Sequence, residues 1–87
     1  MNMTTPSPDP RSGDSYVQSF ARGLEVIRSF SAAVPQQTLS EVAAHTGLTR
    51  AGARRILLTL QTLGYVESDG RLFRLTPRIL DLGFAYL

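Results

Sequence analysis

Two glycines divide the most regular part of the sequence into two periodic segments. Residues 40–46, SEVAAHT, end at Gly47, and residues 50–63, RAGARRILLTLQTL, end at Gly64. Helices often end on a glycine, because glycine adopts the left-handed conformation without steric cost. Two helices joined by a turn of three or four residues that contains glycine form a helix-turn-helix. This spacing constrains the fold more than any other feature of the chain.

Both helices carry capping and packing signals. We expect Ser40 to cap the shorter helix and Thr49 the longer one, since hydroxyl oxygens accept hydrogen bonds from the free amides of a first turn. Helical periodicity predicts inward faces at Leu39, Val42, Ala43 and Thr46, and at Ala53, Ile56, Leu57, Leu60 and Leu63. The opposite side of the longer helix carries Ala51, Arg54, Arg55, Leu58 and Thr62.

The preceding segment predicts another helix over about residues 19–32, with Ser19 as its N-cap. Its apolar side chains recur at helical spacing, at Phe20, Leu24, Ile27 and Phe30, with Val26 beside them. Pro35 ends this helix, because a residue before proline avoids the helical region. Residues 36–37 are then predicted as a loop, and residues 38–39 as a short extended segment.

The segment after the helix pair predicts a β-hairpin. Residues 65–68 alternate in polarity, residues 72–75 return, and Asp69-Gly70 between them is the strongest short hairpin signal. A further helix is predicted from Pro77, with proline at the first helical position and Thr76 as its cap.

The predicted fold is mainly α with a small β-hairpin, a winged helix-turn-helix over residues 15–76. Residues 1–14 contain three prolines and almost nothing apolar, which predicts a disordered leader. Residues 77–87 are predicted to begin a helix that continues past this domain.

Composition excludes several classes of function. The chain has no cysteine, so it forms no disulfide and no thiolate metal site. Its single histidine, His45, has no partner ligands in the sequence pattern. No nucleophile motif or glycine-rich phosphate loop is present, so we expect neither an enzyme nor a cofactor. No apolar run is long enough to span a membrane, and no signal peptide begins the chain, which favours a cytoplasmic protein.

All nine basic residues are arginine, and Arg50, Arg54 and Arg55 fall within six positions. Guanidinium groups match phosphates and guanine edges with two hydrogen bonds at once. A GC-rich genome would explain the same bias through codon usage, so the positions of the arginines must decide between the two explanations.

The second helix of a helix-turn-helix enters the major groove of DNA with its N-terminal residues at the base edges. The chain is therefore predicted to bind duplex DNA through residues of this helix, the start of the first helix and the hairpin. The candidate residues are Ser40, Thr49, Arg50, Ala51, Gly52, Arg54, Arg55, Thr59 and Arg71.

The arginines receive different predicted roles. Arg50 and Arg54 are expected to reach guanine O6 and N7, while Arg55 is expected to meet either a phosphate or an acid of its own chain. Ser40 would place a hydroxyl and free amides where a phosphate docks. Arg71, just after the hairpin turn, would reach the flanking backbone or the minor groove.

The smaller candidates have structural alternatives. Thr49 offers a hydroxyl or a methyl group, and Ala51 suits a thymine methyl group. Gly52 costs the helix roughly 1 kcal/mol relative to alanine. It is either merely tolerated or lets the backbone approach DNA closely.

Two other functions use the same fold. A protein-interaction module would employ exposed apolar residues such as Val17, Phe20 and Phe84, although dimerisation would explain them equally well. A winged helix that binds RNA is the remaining alternative.

Three stretches resemble one known family. YVQSFARGLEVIRSFS, TLSEVAAHTGLTRAGARRILLTLQTLGYV and DGRLFRLTPRILDLGFAYL, which lie within residues 16–87, are similar to the N-terminal domain of IclR-family transcriptional regulators. YVQSFARGL and LTPRILDLG resemble most the branch that regulates aromatic-acid catabolism, including the protocatechuate, 4-hydroxybenzoate and catechol pathways.

The resemblance implies a bacterial repressor or activator that binds palindromic operator DNA as a homodimer or a dimer of dimers. Residues 49–63 match the family's recognition helix, residues 65–75 its wing, and residues 77–87 the start of its linker helix. The family's effector-binding domain is absent from this chain, so a small aromatic acid would act only through that further domain. Such a protein is expected in the cytoplasm, on the nucleoid when bound to DNA.

Overall fold

A computed structural model describes residues 13–87, so most of the predicted leader lies outside the described residues. The helices are α1 (Gln18–Arg28), α2 (Leu39–Thr46), α3 (Arg50–Leu63) and α4 (Ile79–Phe84). The strands are β1 (Gln37–Thr38), β2 (Val66–Ser68) and β3 (Leu72–Leu75). They form an antiparallel sheet in the order β1-β3-β2, so the predicted hairpin is confirmed and gains a third strand.

One hydrophobic core joins α1, α2 and α3 to the sheet. Its buried members are Val26, Phe30, Val42, Ala43, Ala53, Leu57, Leu60, Val66 and Phe73. The predicted inward faces of α2 and α3 are confirmed except at Leu63, which is 54% exposed. Leu63 borders an open groove beside α1 instead of the core.

The N-terminal helix differs from its prediction at both ends. Val17 occupies the N-cap position without a side-chain hydrogen bond, so Ser19 is not the cap. Phe20 is 68% exposed, whereas Val26 is fully buried, because α1 packs into the core only through its C-terminal half. The helix ends at Arg28, where Ser29 Oγ donates to the Val26 carbonyl oxygen at 2.6 Å.

The prediction of a loop at Gln37 is wrong. This residue belongs to β1, where it is fully buried and lies opposite Phe73. Its Nε2 donates to the backbone oxygen of Ser29 at 3.2 Å and to Ser29 Oγ at 3.1 Å. Its Oε1 lies 2.5 Å from His45 Nδ1. Since an amide oxygen only accepts hydrogen bonds, His45 Nδ1 carries the proton of this contact. One side chain thus connects the end of α1, the last turn of α2 and the sheet.

The N-cap of α2 is Thr38, and the predicted cap Ser40 is wrong. Thr38 Oγ1 accepts from the Glu41 amide at 3.2 Å, and Glu41 Oε1 accepts from the Thr38 amide at 2.7 Å. This reciprocal capping box needs an acid three residues after the cap, and only Thr38 has one. The hydrogen bond that the Glu41 carboxylate accepts from the Thr38 amide is the largest cause of the lowered pKa of Glu41. Ser40 becomes the second residue of the helix, with its side chain exposed.

The hairpin turn is stabilised by Asp69, whose Oδ1 accepts from the backbone amides of Arg71 and Leu72 at 2.9 and 2.8 Å. These two hydrogen bonds lower the pKa of Asp69. Gly70 has φ of +102°, a conformation that favours glycine. The wing tip is therefore held in one shape by local hydrogen bonds.

The last helix begins at Ile79, two residues after the predicted start at Pro77. Thr76, the predicted cap, instead donates its hydroxyl to the Gly64 carbonyl oxygen at 2.6 Å. Arg78 lies over the Tyr65 ring, 5.4 Å from its centroid. These contacts connect the start of α4 to the end of α3.

We expect Gln37→Leu to lower the free energy of unfolding by about 1–3 kcal/mol, because it leaves polar groups of Ser29 and His45 without their partner. Urea denaturation followed by circular dichroism measures the change. The neighbouring Gln36→Leu is the matched control, since Gln36 is exposed. Equal stability of the two variants would show that the buried amide does not hold the fold together.

The capping box should give the protein a specific pH dependence. Glu41 has a folded pKa below its ordinary value of 4.5, so its contribution is present above that value and is lost as pH falls through the folded pKa. Glu41→Gln keeps an acceptor at the same position but does not titrate. The stability difference between wild type and this variant should shrink below pH 4.5. A difference that stays constant from pH 7 to pH 3 would contradict this.

Candidate nucleic-acid interface

The helix-turn-helix holds α3 in a fixed orientation. Thr49 is the N-cap, as predicted, with its Oγ1 accepting from the Gly52 amide at 3.0 Å. Gly47 and Gly64 have φ of +75° and +90°, which confirms them as the left-handed ends of α2 and α3. Leu48, between the helices, packs against the core. The caps and the core therefore position the first turns of α3.

The side of α3 predicted to face away from the core is exposed. Ala51, Arg54, Arg55, Leu58 and Thr62 all belong to it. Leu58 is 41% exposed and adds an apolar surface between the arginines and the end of the helix. This face is both cationic and apolar, a combination that suits base edges with their acceptors and thymine methyl groups.

Four predicted site residues meet in a small polar pocket between the starts of α2 and α3 and the tip of the hairpin. Its volume is about 390 Å³, and we call it the wing-side pocket. The predicted residues that line it are Ser40, Arg50, Arg54 and Arg71. They come from three separate elements, which only the tertiary structure brings together.

The other predicted residues do not join that pocket. Thr49, Gly52, Arg55 and Thr59 border an open, mainly apolar groove of about 800 Å³ between α1 and α3. Exposed Phe20 also lines this groove. Ala51 lines neither concavity and lies on the ridge of α3 between them. The candidate set is thus divided between two sides of one helix.

The arginines differ in whether they form an ion pair with an acid of the described residues. Among residues 13–87, the ion pair within 4.0 Å joins Arg74 Nε to Glu67 Oε2 at 2.7 Å. None of Arg50, Arg54, Arg55 and Arg71 pairs with a carboxylate of this part of the chain. Within residues 13–87, Arg55 thus has no acid partner, and its predicted contact with a phosphate stays a prediction. Among the described residues, these four arginines of α3 and the wing form an exposed cationic surface that is available to an anion.

Two acids beside this surface accept hydrogen bonds from backbone amides of the protein itself. Glu41 and Asp69 both accept amide hydrogen bonds that lower their pKa values. The positive charge of Arg71 contributes to the lowered pKa of Glu41, and that of Arg74 to the lowered pKa of Asp69. The acids stay ionised, and their hydrogen bonds to the backbone fix their positions next to the arginines.

The wing-side pocket is also lined by residues that were not among the predicted site residues, namely Thr38, Leu39, Gly70 and Phe73. The signal for Thr38 was present, since threonine followed by glutamate three positions later is a capping box. Nothing in the sequence near Phe73 predicts that it lies beside the start of α2, because this position depends on the pairing of β1 with β3.

Gly52 has a local structural explanation. A Cβ atom at this position would lie 3.1 Å from Thr49 Oγ1, which is tighter than an ordinary van der Waals contact. The cap hydroxyl would have to shift while it holds the Gly52 amide. The absence of a side chain thus protects the N-cap, and close approach to DNA stays a prediction.

Thr59 has its hydroxyl proton engaged within the helix, because Oγ1 donates to the Arg55 carbonyl oxygen at 2.9 Å. Its oxygen remains able to accept a hydrogen bond from outside.

Within the described residues, no three His, Cys, Asp or Glu side chains are grouped to hold a metal ion, and no helix is long and apolar enough to cross a membrane.

Comparison with known proteins assigns the family. The model of the IclR helix-turn-helix domain matches residues 19–70, which include all but the first residue of α1, all of α2 and α3, and the start of the hairpin. The chain belongs to the IclR family. This is a family of transcriptional regulators and not of enzymes, and the winged helix-turn-helix architecture is the one its solved members have.

Individual relatives agree with this assignment. The Pca operon regulatory protein of Acinetobacter baylyi is 43% identical over 74 residues, which cover 85% of this chain and 27% of that protein. A solved Rhodococcus sp. RHA1 protein, described as a transcriptional regulator, is 62% identical over 82% of this chain and 28% of its own, with a TM-score of 0.78. This chain therefore spans little more than a quarter of the length of these relatives.

A third relative is an IclR homolog of Microbacterium hydrocarbonoxydans, solved in complex with 4-hydroxybenzoate. It is 25% identical over 74% of this chain and 27% of its own, with a TM-score of 0.67. Together with the Pca regulator, it agrees with the predicted resemblance to regulators of aromatic-acid catabolism.

The explanation for Gly52 can be tested with a double-mutant cycle. Gly52→Ala adds helix propensity worth roughly 1 kcal/mol. We expect that gain to be reduced in wild type by crowding of the Thr49 hydroxyl, and to be fully present in a Thr49→Gly background. Thermal or urea unfolding of the four proteins gives the coupling. Equal effects of Gly52→Ala in both backgrounds would remove the structural explanation.

Proposed function

We propose that this chain is the DNA-binding domain of a bacterial transcriptional regulator and binds duplex DNA with sequence specificity. In this proposal α3 enters the major groove, and the wing, residues 65–75, lies on the flanking DNA. The observation that carries it is the group of exposed arginines on α3 and the wing tip, none of which pairs with a carboxylate of residues 13–87. Family membership supports the same conclusion.

The proposed contacts use all nine residues identified from the sequence. They are Ser40, Thr49, Arg50, Ala51, Gly52, Arg54, Arg55, Thr59 and Arg71. Base edges are contacted from the exposed face of α3, while the start of α2 and the wing contact the phosphate backbone. Ser40 keeps this role although it is not the cap, because its side chain remains exposed in the wing-side pocket.

The intact regulator is proposed to be a homodimer or a dimer of dimers that binds a palindromic operator in the cytoplasm. Residues 77–87 would then start the linker to a further domain, since the Pca relative is several times longer than this chain. A small aromatic acid is the proposed effector of that domain, supported by the IclR homolog that binds 4-hydroxybenzoate. The genes controlled would serve aromatic-compound catabolism.

Selection of bound sites from random duplex DNA tests this function. We expect the chain to enrich one half-site motif and to bind it with an affinity that falls linearly on a log–log plot against salt. The slope should be about −1 for each phosphate neutralised. Arg28→Ala, which removes an exposed arginine from α1, should leave both affinity and motif unchanged.

Equal, weak binding to every duplex would contradict the proposal and would favour a protein-interaction module. Tighter binding to structured RNA than to the selected duplex would favour an RNA-binding winged helix. Both comparisons are made by competition in the same fluorescence anisotropy assay.

A further inference from the structure

We propose that the wing-side pocket holds the DNA phosphate backbone through Arg50, Arg54 and Arg71, and that Arg55 is the arginine that recognises bases. This inference rests on the proposed function and assigns separate roles within it. It moves Arg50 and Arg54 from their sequence-based role at guanine edges to the phosphate backbone, and gives the guanine role to Arg55.

The charge of the pocket indicates the chemistry of its ligand. Arg50 and Arg54 are four residues apart and share one side of α3, and Arg71 approaches from the wing tip. None of the three has a carboxylate partner within 4.0 Å among residues 13–87. Like charges around one small space repel each other unless an anion neutralises them. A phosphodiester carries that negative charge, whereas a guanine edge offers only neutral acceptors.

The polar lining completes the fit to phosphate oxygens. Ser40 contributes an exposed hydroxyl from the first turn of α2, with its donor available to a ligand. Thr38 also lines the pocket, with its amide and its hydroxyl oxygen held in the capping box with Glu41. Hydrogen bonds from the Arg71 and Leu72 amides to Asp69 keep the wing tip in place.

Arg55 occupies a different side of α3. Two positions along a helix rotate a side chain by about 200°, so Arg55 points away from both Ala53 and Leu57, which are fully buried. It does not line the wing-side pocket, and no carboxylate of the described residues pairs with it. When α3 lies in a major groove, the face opposite the core is the one nearest the base edges.

The neighbours of Arg55 suit recognition of bases. Ala51 and Leu58 are exposed on the same face and are apolar, so they match thymine methyl groups and not phosphates. Ala51 and Leu58 lie between Arg54 and Arg55 around the helix, so Arg55 stands on the side of this apolar pair away from the three pocket arginines. There its guanidinium can form two hydrogen bonds to guanine O6 and N7.

The first experiment compares Arg54→Ala, Arg71→Ala and Arg55→Ala on the selected duplex and on a scrambled duplex over a range of salt concentrations. Arg54→Ala and Arg71→Ala should weaken binding to both duplexes by the same factor and make the salt slope less steep by up to about 1. Arg55→Ala should lower the ratio of selected to scrambled affinity about tenfold. Arg28→Ala is the charge-matched control, and Arg54→Lys should restore the salt slope.

The second experiment uses modified DNA with the same variants. Methylphosphonate, placed at successive positions, should weaken wild type at one or two phosphates and have less effect there on Arg54→Ala. A 7-deazaguanine substitution removes the N7 acceptor, and it should weaken wild type but not Arg55→Ala. Circular dichroism confirms that each variant is folded.

The inference is overturned if 7-deazaguanine couples to Arg54 and not to Arg55, or if Arg54→Ala relaxes the base preference while Arg55→Ala weakens both duplexes equally. Failure of wild type to discriminate between the duplexes is a separate outcome. It would overturn the proposed function itself, and the division of roles with it.

Discussion

The packing of the sheet against α1 and α2 depends on one buried polar side chain, whose amide nitrogen and amide oxygen both have hydrogen-bond partners. Gln37 is fully buried, and an amide without partners there would cost about 1–3 kcal/mol. Its partners are Ser29, at the end of α1, and His45, in the last turn of α2. Because Gln37 also belongs to β1, it fixes how the sheet lies against both helices. The wing and the starts of α2 and α3 therefore border the same pocket.

That arrangement gives the arginines different environments. Arg74 pairs with Glu67, and Arg78 lies over Tyr65, so these two cations stabilise the domain itself. The arginines of α3 and the wing tip stay exposed, with acids nearby that are held by the backbone. A surface of this kind attracts polyanions from a distance and keeps its side chains available for contact.

Sequence patterns correctly predicted the features that depend on contacts between residues close together in the chain. The glycines after α2 and α3, the cap at Thr49 and the Asp69-Gly70 hairpin were all predicted and confirmed. Errors arose where distant segments meet. The apolar periodicity of α1 included Phe20, which is exposed, because periodicity identifies a face but not how much of it finds a partner. The predicted cap Ser40 was wrong for a local reason, since Glu41 lies three residues after Thr38 and forms the reciprocal capping box with it.

The sequence by itself determined the order of the elements, the inward side of α3 and the concentration of arginines in its first turns. These follow from residue spacing, helical periodicity and the conformational freedom of glycine. Only the tertiary structure decided which arginines share a pocket. Arg54 and Arg55 are adjacent in sequence but differ by about 100° around the helix, so packing places Arg54 beside the wing and Arg55 beside the groove next to α1. The angle between the two side chains follows from their spacing along a helix. The position of the wing depends on the pairing of β1 with β3, which are far apart in the chain.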